Sequence, residues 1–159
     1  EQAHILDLGC GSGRDSLAFK NKGYWITAID YSEALVKKAT ELTGLQVKYQ
    51  SFYELNEIAV YDGIWACASL LHCERRRLAE VLEKMLRALK PSGVCYMSFK
   101  YGDSDREKDG REFTDLNEKQ AQELQAQFEQ VSLVDQWITV DKRPDREEQW
   151  LNLLWKKND

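Results

Sequence analysis

The 159-residue sequence predicts an α/β fold built on a mostly parallel sheet. Short apolar runs alternate along the chain with segments of helical periodicity, which is typical of helices that connect parallel strands. A glycine turn follows the first apolar run, with glycine at alternate positions 9, 11 and 13. Further along, an amphipathic segment at 78–89 ends in Pro91-Ser92-Gly93 and leads into another apolar run. Helix, turn and strand in this order indicate a βαβ organisation along the chain.

The first half of the chain predicts four strands and two helices. The strands are expected at about 4–8, 25–29, 47–50 and 61–67, and the helices at about 14–22 and 33–42. Ser32 is suited to cap the start of the second helix, since its hydroxyl accepts from free backbone N–H groups. Gly44 is suited to end that helix in the left-handed conformation.

The second half predicts two helices and three strands around a polar segment. Leucine, valine and methionine form one stripe along the helix at 78–89. A fifth strand is expected at 94–99. The polar, glycine-containing segment 101–115 predicts a mobile loop. A helix at 116–127 and strands at 131–140 and 149–155 complete the chain.

Composition narrows the classes of function. The net charge of −5 and the pI of about 5.2 argue against nonspecific nucleic-acid binding, and we expect no such partner. No run approaches the roughly 20 apolar residues of a membrane span, so no membrane partner is expected. The four cysteines lack Cys-x-x-Cys spacing and paired histidines, which predicts no metal site and a reducing cytoplasmic setting.

The run Asp7-Leu8-Gly9-Cys10-Gly11-Ser12-Gly13 resembles the first motif of class I S-adenosylmethionine-dependent methyltransferases. The next expected strand ends at Asp30, at an offset close to that of a ribose-binding acid. The resemblance covers nearly the whole chain. It implies a Rossmann-like, seven-stranded sheet with helices on both faces and an antiparallel last strand. The family usually has a helical segment before the first strand, so we expect 1–159 to be a single methyltransferase domain lacking that segment.

The resemblance also implies a site for S-adenosylmethionine. Asp7 and the glycine turn would hold the methionine part, Asp30 the ribose hydroxyls, and Tyr31 would lie beside the adenine. The residues expected to bind the cofactor are Asp7, Gly9, Cys10, Gly11, Gly13, Asp30, Tyr31, Ser51, Phe52 and Cys67. Two of these positions have alternatives: Asp30 could cap the following helix, and Phe52 could belong to the core. The acid that the family often has after strand three is absent here or displaced to Glu54.

The overall pattern of the sequence resembles the small bacterial tellurite-resistance type methyltransferases, which act on small molecules or oxyanions. The resemblance therefore implies an acceptor of one of these two kinds. His72 is the candidate catalytic residue, as a base or an orienting group, and local packing is its alternative. Candidate substrate residues are Tyr101, Arg111, Arg143 and Arg146, whose guanidinium groups suit an anion; ordinary surface arginines are the alternative. The segments typical of base methylation, [DNS]-P-P-[YFW] and Pro-Cys, are absent.

Two other functions compete with methyl transfer. A non-catalytic S-adenosylmethionine-binding regulatory module would keep the cofactor site without an acceptor site. A nicotinamide-dependent oxidoreductase is disfavoured by the alternate glycines and by the lack of a Tyr-x-x-x-Lys pair. The sequence leaves the oligomeric state open.

Overall fold

The computed structural model describes residues 2–102, 105–108, 111–141 and 148–159. The main sheet contains β1 (His4–Leu8), β2 (Trp25–Asp30), β3 (Lys48–Tyr49), β4 (Tyr61–Ala66), β5 (Leu89–Lys100), β8 (Val131–Val140) and β9 (Gln149–Lys157), and a separate hairpin contains β6 (Asp105–Lys108) and β7 (Arg111–Thr114). The α-helices are α1 (Arg14–Asn21), α2 (Glu33–Thr43), α3 (Leu78–Ala88) and α4 (Glu118–Gln125). Short 3₁₀ helices lie at Phe52–Glu54, Leu70–His72 and Arg75–Arg77.

The seven strands of the main sheet lie in the order β3-β2-β1-β4-β5-β9-β8. Strands β1 to β5 run parallel, and β9 lies between β5 and β8, antiparallel to both. The expected seven-stranded sheet with an antiparallel last strand is therefore confirmed. The strand order reverses between β1 and β4, which is where ligands bind in open α/β sheets, beyond the carboxyl ends of the strands.

Helices cover both faces of the sheet, as expected. Along β2, Ile26 and Ala28 belong to a small core cluster with Ala39 of α2, whereas Ile29 belongs to a larger cluster. Neighbouring residues of a strand point to opposite faces, so the two clusters lie on opposite sides. The larger cluster is formed by the buried stripe of α3 and by the inner residues of β4, β5 and β9.

The predicted caps of α2 are confirmed. The Ser32 hydroxyl accepts from the Leu35 N–H at 3.3 Å, and Gly44 closes the helix with a φ of 73°. Both signals depend on residues within a few positions of the helix ends, which is why they can be recognised in the sequence.

The prediction of a loop at 101–115 is wrong at 105–108 and at 111–114. Asp105–Lys108 and Arg111–Thr114 pair as antiparallel strands, and Thr114 donates its hydroxyl proton to the Cys73 carbonyl at 2.6 Å. That contact joins residues 41 positions apart. The turn residues that suggested a loop carry no information about such a partner.

Strands four and five also differ from their expected limits. β5 begins at Leu89, which pairs with Tyr61, and pairing resumes at Gly63 with Val94 after an irregular stretch. β4 ends at Ala66 because Ala68 adopts a φ of 52°, outside the strand region. Within the described ranges, no helix has the length and apolar character needed to cross a bilayer.

Gly13 to Ala is expected to destabilise the fold more than Gly23 to Ala. Both residues have a positive φ, near 95°, so either alanine incurs the left-handed penalty of about 1–2 kcal/mol. A Cβ at Gly13 would also lie 3.0 Å from Ala39, whereas a Cβ at Gly23 meets open space. We expect Gly13→Ala to lower the free energy of unfolding by about 2–5 kcal/mol. Urea denaturation measures both variants, and equal losses would contradict a packing role for Gly13.

Candidate functional site

A cavity of about 1030 Å³ lies beyond the carboxyl ends of β1, β2 and β4. It brings together most of the residues that the sequence nominated: Asp7, Gly9, Cys10, Gly11, Asp30, Tyr31, Ser51, Phe52, Cys67 and His72. These residues come from the ends of the four strands β1 to β4 and from the segments that follow them. Parallel strands that end at the same edge of the sheet explain why distant parts of the chain meet here.

The glycine turn is tied to the end of β2. The N–H groups of Gly9 and Cys10 both donate to the Ile29 carbonyl, at 3.0 and 2.9 Å. The Gly11 N–H donates to a carboxylate oxygen of Asp30 at 2.9 Å. These bonds satisfy backbone donors of the turn and set its distance from Asp30.

The three glycines of the turn have different structural roles, which corrects the expectation that all of them approach a ligand. A Cβ at Gly9 would lie 2.5 Å from the Cβ of Ser69, and one at Gly13 would meet Ala39 of α2. Gly13 does not line the cavity. A Cβ at Gly11 would meet open space, and Gly11 does line the cavity. Packing within the protein therefore accounts for Gly9 and Gly13, and only Gly11 offers free room to a ligand.

The Asp30 carboxylate supports the turn and faces the cavity. Besides the bond from Gly11, its other oxygen accepts from the Ser32 N–H at 3.0 Å. The cap of α2 is supplied by the Ser32 hydroxyl, so the alternative role of Asp30 as that cap is not needed. A carboxylate has about four acceptor positions, and two of them are used here. Asp30 therefore keeps acceptor capacity for donors in the cavity.

Asp7 is a buried carboxyl in the cavity wall. It is 2% exposed and accepts from the Ser16 hydroxyl at 2.6 Å. Burial raises the pKa of Asp7 to about 6, the Ser16 hydrogen bond lowers it, and the charges of Asp15 and Asp30 add to the rise. Asp7 therefore changes its protonation state close to neutral pH.

The cysteines of the cavity are neutral thiols near pH 7. Burial raises the pKa of Cys10 to about 12, with further contributions from Asp7 and Asp30. Burial also raises the pKa of Cys67. The thiolate is the reactive form of cysteine, so these two side chains contribute shape rather than nucleophilic chemistry.

Aromatic side chains flank the cavity near Asp30. Tyr31 is 66% exposed, and its ring is stacked on Tyr49 with the planes 1° apart and the centroids at 5.1 Å. Phe52 lines the cavity and also packs against the larger core, and its contact with the adenine stays a prediction. The Ser51 N–H donates to the Glu54 carboxylate at 2.9 Å. Glu54 lines the cavity as well, which agrees with an acid displaced to that position.

His72 also lines the cavity. This exposed residue ends the helical turn Leu70–His72, and its ring lies 5.1 Å from that of Phe113 in β7. The cavity does not include Tyr101, whose hydroxyl donates to Glu118. The backbone of Arg111 lies in β7, and Arg143 and Arg146 lie outside the described residues. The arginine cluster stays a prediction.

Several cavity residues were not nominated from the sequence. Arg14 and Asp15 follow Gly13 directly, and that adjacency was an available signal. Asp15 accepts from the Trp65 indole N–H at 3.0 Å, a contact across 50 positions that the sequence does not reveal. Ser69 enters the cavity wall through the bend after β4. Among the described residues, no group of three or more His, Cys, Asp or Glu is placed to hold a metal ion.

Comparison with known proteins places this cavity in a family context. Residues 5–93, more than half of the chain, match a family model described as a methyltransferase domain. The O-methyltransferase resE of Aspergillus sclerotiorum is 37% identical over 98 residues, which are 55% of this chain and 36% of that protein. The putative methyltransferase YqeM of Bacillus subtilis is 31% identical over 101 residues, 59% of this chain and 41% of that protein. The chain thus spans less than half the length of these two relatives.

Among solved structures, an N1-methyltransferase of Burkholderia thailandensis superimposes on the whole chain. The TM-score is 0.83 at 25% identity, and 72% of that protein is covered. Its structure contains 1,6-didemethyltoxoflavin and S-adenosylhomocysteine. TehB of Haemophilus influenzae gives a TM-score of 0.79 at 17% identity, covering 100% of this chain and 58% of TehB, and shares the fold.

Asp7→Asn is expected to change how stability depends on pH. Folding raises the pKa of the Asp7 carboxyl from 3.8 to about 6, so this group stabilises the fold fully at pH values below its unfolded pKa. The stabilisation is lost as the pH rises through the pKa of the folded state. For a shift of about two pKa units, the loss amounts to about 3 kcal/mol. The asparagine variant should lack this decline in the free energy of unfolding.

Denaturation at a series of pH values between about 4 and 7 makes the comparison. Asp135→Asn serves as the matched control, because Asp135 is exposed on β8. If the free energy of unfolding depended on pH in the same way in wild type and Asp7→Asn, that result would contradict a raised pKa for Asp7.

Proposed function

The chain belongs to the class I S-adenosylmethionine-dependent methyltransferases, and we propose that it transfers a methyl group from that cofactor to a small-molecule acceptor. The observation that carries the proposal is one cavity whose lining includes the glycine turn, Asp30 and Cys67 together with His72. A cofactor held by the glycine turn and an acceptor near His72 would therefore lie next to each other in this cavity.

The residues of the cavity fit S-adenosylmethionine. The volume of about 1030 Å³ is at the upper end of the range for small-molecule sites, which leaves room for a second small ligand. Gly11 leaves open space on the cavity side of the turn, and Asp30 keeps acceptor capacity for two neighbouring hydroxyls. Ser69 contributes a buried hydroxyl that lacks a partner among the described residues. Each feature suits a ligand with polar groups at both ends.

Within this proposal, each part of the cavity wall contacts a different part of the cofactor. Asp30 accepts hydrogen bonds from the ribose hydroxyls, while Tyr31 and Phe52 flank the adenine. Asp7, the glycine turn and Cys67 enclose the methionine end. S-adenosylmethionine, when bound, would supply a methyl group on a positively charged sulfur. An acceptor atom would attack the methyl carbon in line, and the carbon–sulfur bond would break to leave S-adenosylhomocysteine. The protein contributes alignment and exclusion of water, so no enzyme nucleophile is needed.

His72 is proposed to orient the acceptor or take up its proton. It is exposed and lines the cavity, and an imidazole nitrogen can accept a proton or a hydrogen bond. A small-molecule acceptor is supported by the Burkholderia enzyme, whose structure contains one. An oxyanion acceptor would depend on Arg111, Arg143 and Arg146, and an acceptor screen with small oxyanions, thiols and heterocycles separates these classes.

Calorimetric titration with S-adenosylmethionine, S-adenosylhomocysteine and NAD tests the proposal. Binding of the two sulfur nucleotides at micromolar concentrations, without binding of NAD, is the expected result. Absence of binding at millimolar cofactor would reject the cofactor assignment. Tight binding with no turnover across the acceptor screen would instead favour a non-catalytic regulatory module.

Asp30→Ala is expected to weaken the binding of both sulfur nucleotides by tenfold or more. Two hydrogen bonds to a carboxylate are removed, each worth about 1.5–3 kcal/mol. S-adenosylmethionine and S-adenosylhomocysteine carry the same ribose, so both affinities should fall by the same factor. Asp135→Ala is the control. Normal binding by Asp30→Ala, or a loss confined to one nucleotide, would rule out the ribose role.

A further inference from the structure

The peptide group between Cys73 and Glu74 is held on both of its sides by side-chain hydroxyls. Thr114 of β7 donates its hydroxyl proton to the Cys73 carbonyl at 2.6 Å. The Glu74 N–H donates to the hydroxyl oxygen of Tyr53 at 3.0 Å. A trans peptide unit is planar, and its C=O and N–H point in opposite directions. The two hydroxyls therefore restrain one rigid unit from opposite directions, in an arrangement that we call the peptide clamp.

The two side chains of the clamp are themselves held in place. Thr114 is 3% exposed, and its backbone pairs with Asp105 in the antiparallel ladder of β6 and β7. The Arg77 guanidinium lies over the Tyr53 ring, 3.8 Å from its centroid, and the Lys84 ammonium donates to the Tyr53 carbonyl. Because neither side chain is free to move, the clamp links the segments that follow β3 and β4 to β7.

His72 lies directly before the clamped peptide group. On its other side, Leu70 and Leu71 are buried in the larger core, so the backbone is fixed on both sides of this exposed residue. Phe113 precedes Thr114 in β7, and the centroid of its ring lies 5.1 Å from that of the imidazole. Strand β7 thus supplies both a restraint on the backbone beside His72 and a neighbour for its ring.

A base or an orienting group is effective only when its reacting atom is held at the right distance and angle. An exposed imidazole on an unrestrained backbone would move between several rotamers. We propose that Tyr53 and Thr114 are positioning residues, which act through the peptide clamp to keep the His72 imidazole beside Phe113 at the cavity. Neither hydroxyl needs to touch the acceptor. The inference rests on the proposed function, from which His72 takes its role in methyl transfer.

Nuclear magnetic resonance of the histidine side chains tests the inference on the full chain and needs no acceptor. The chain contains two histidines, His4 and His72, so two sets of imidazole signals are expected. The ring current of Phe113 should displace the His72 signals from their position in the unfolded chain. His4 is stacked on Trp25 at the start of β1, with the ring centroids 3.8 Å apart, and its signals serve as an internal control.

Four variants separate the hydroxyl groups from the rest of their side chains. Thr114→Val and Tyr53→Phe remove one hydroxyl each and keep the shape of the side chain. Thr114→Ser keeps the hydroxyl. Thr40→Val is the matched control, because Thr40 is exposed on α2 and is not part of the cavity wall.

In Thr114→Val and in Tyr53→Phe, the His72 signals should lose most of their displacement, since the peptide group is released on one side. Thr114→Ser and Thr40→Val should keep the wild-type displacement. The His4 signals should stay in place in all four variants. Calorimetry should show that Thr114→Val binds S-adenosylhomocysteine as wild type does, because Thr114 is not part of the cavity wall.

Two results in the histidine spectra would overturn the inference. If the His72 signals kept their wild-type position in both variants that lack a hydroxyl, the clamp would not position the ring. If the His4 and His72 signals moved equally, the hydroxyls would support the fold in general and not His72 in particular. Failure of wild type to bind S-adenosylhomocysteine would reject the proposed function, and the role of a positioned His72 in methyl transfer with it. The histidine spectra distinguish that failure from a failure of the clamp.

Discussion

The attachment of the glycine turn to the end of β2 is the interaction on which the rest of the site depends. Parallel pairing of β1 with β2 runs from His4 opposite Trp25 to Leu8 opposite Ile29, so both strands end level. The turn can then donate two N–H groups to the Ile29 carbonyl and a third to Asp30. The carboxylate proposed to hold the ribose is thus placed by the same bonds that shape the turn. The register of β1 against β2 therefore also sets the geometry of the proposed ligand site.

Features that cost stability are concentrated in the cavity wall. Asp7 is a carboxyl removed from water, Ala68 has a left-handed backbone, and Ser69 buries a hydroxyl for which the described part of the chain offers no hydrogen-bond partner. Burial of apolar side chains compensates for these costs, and it lies mainly in the core formed by α3 with β4, β5 and β9. A rigid apolar core under a strained polar rim is the arrangement expected where a fold maintains a ligand site.

Two parts of the cavity wall differ in how they are built. The part with the glycine turn is made from β1, β2 and the bend after β4, and β1 is paired with both β2 and β4. His72 contacts Phe113 of β7, and Thr114 of the same strand donates to Cys73 in the segment after β4. The proposed cofactor site therefore depends on the sheet itself, whereas the proposed acceptor site also depends on an added element, and this explains why an acceptor is difficult to assign.

The sequence by itself determined the alternation of strands and helices, the caps of α2, the glycine turn and many of the residues that line the cavity. These signals are local: each depends on residues within a few positions of one another. Only the tertiary structure decided that Gly9 faces Ser69, that Gly13 packs on Ala39, that Trp65 donates to Asp15, and that 105–108 pairs with 111–114. Those outcomes depend on contacts between residues that are distant in the chain, and neither periodicity nor turn chemistry specifies which distant residue will be the partner.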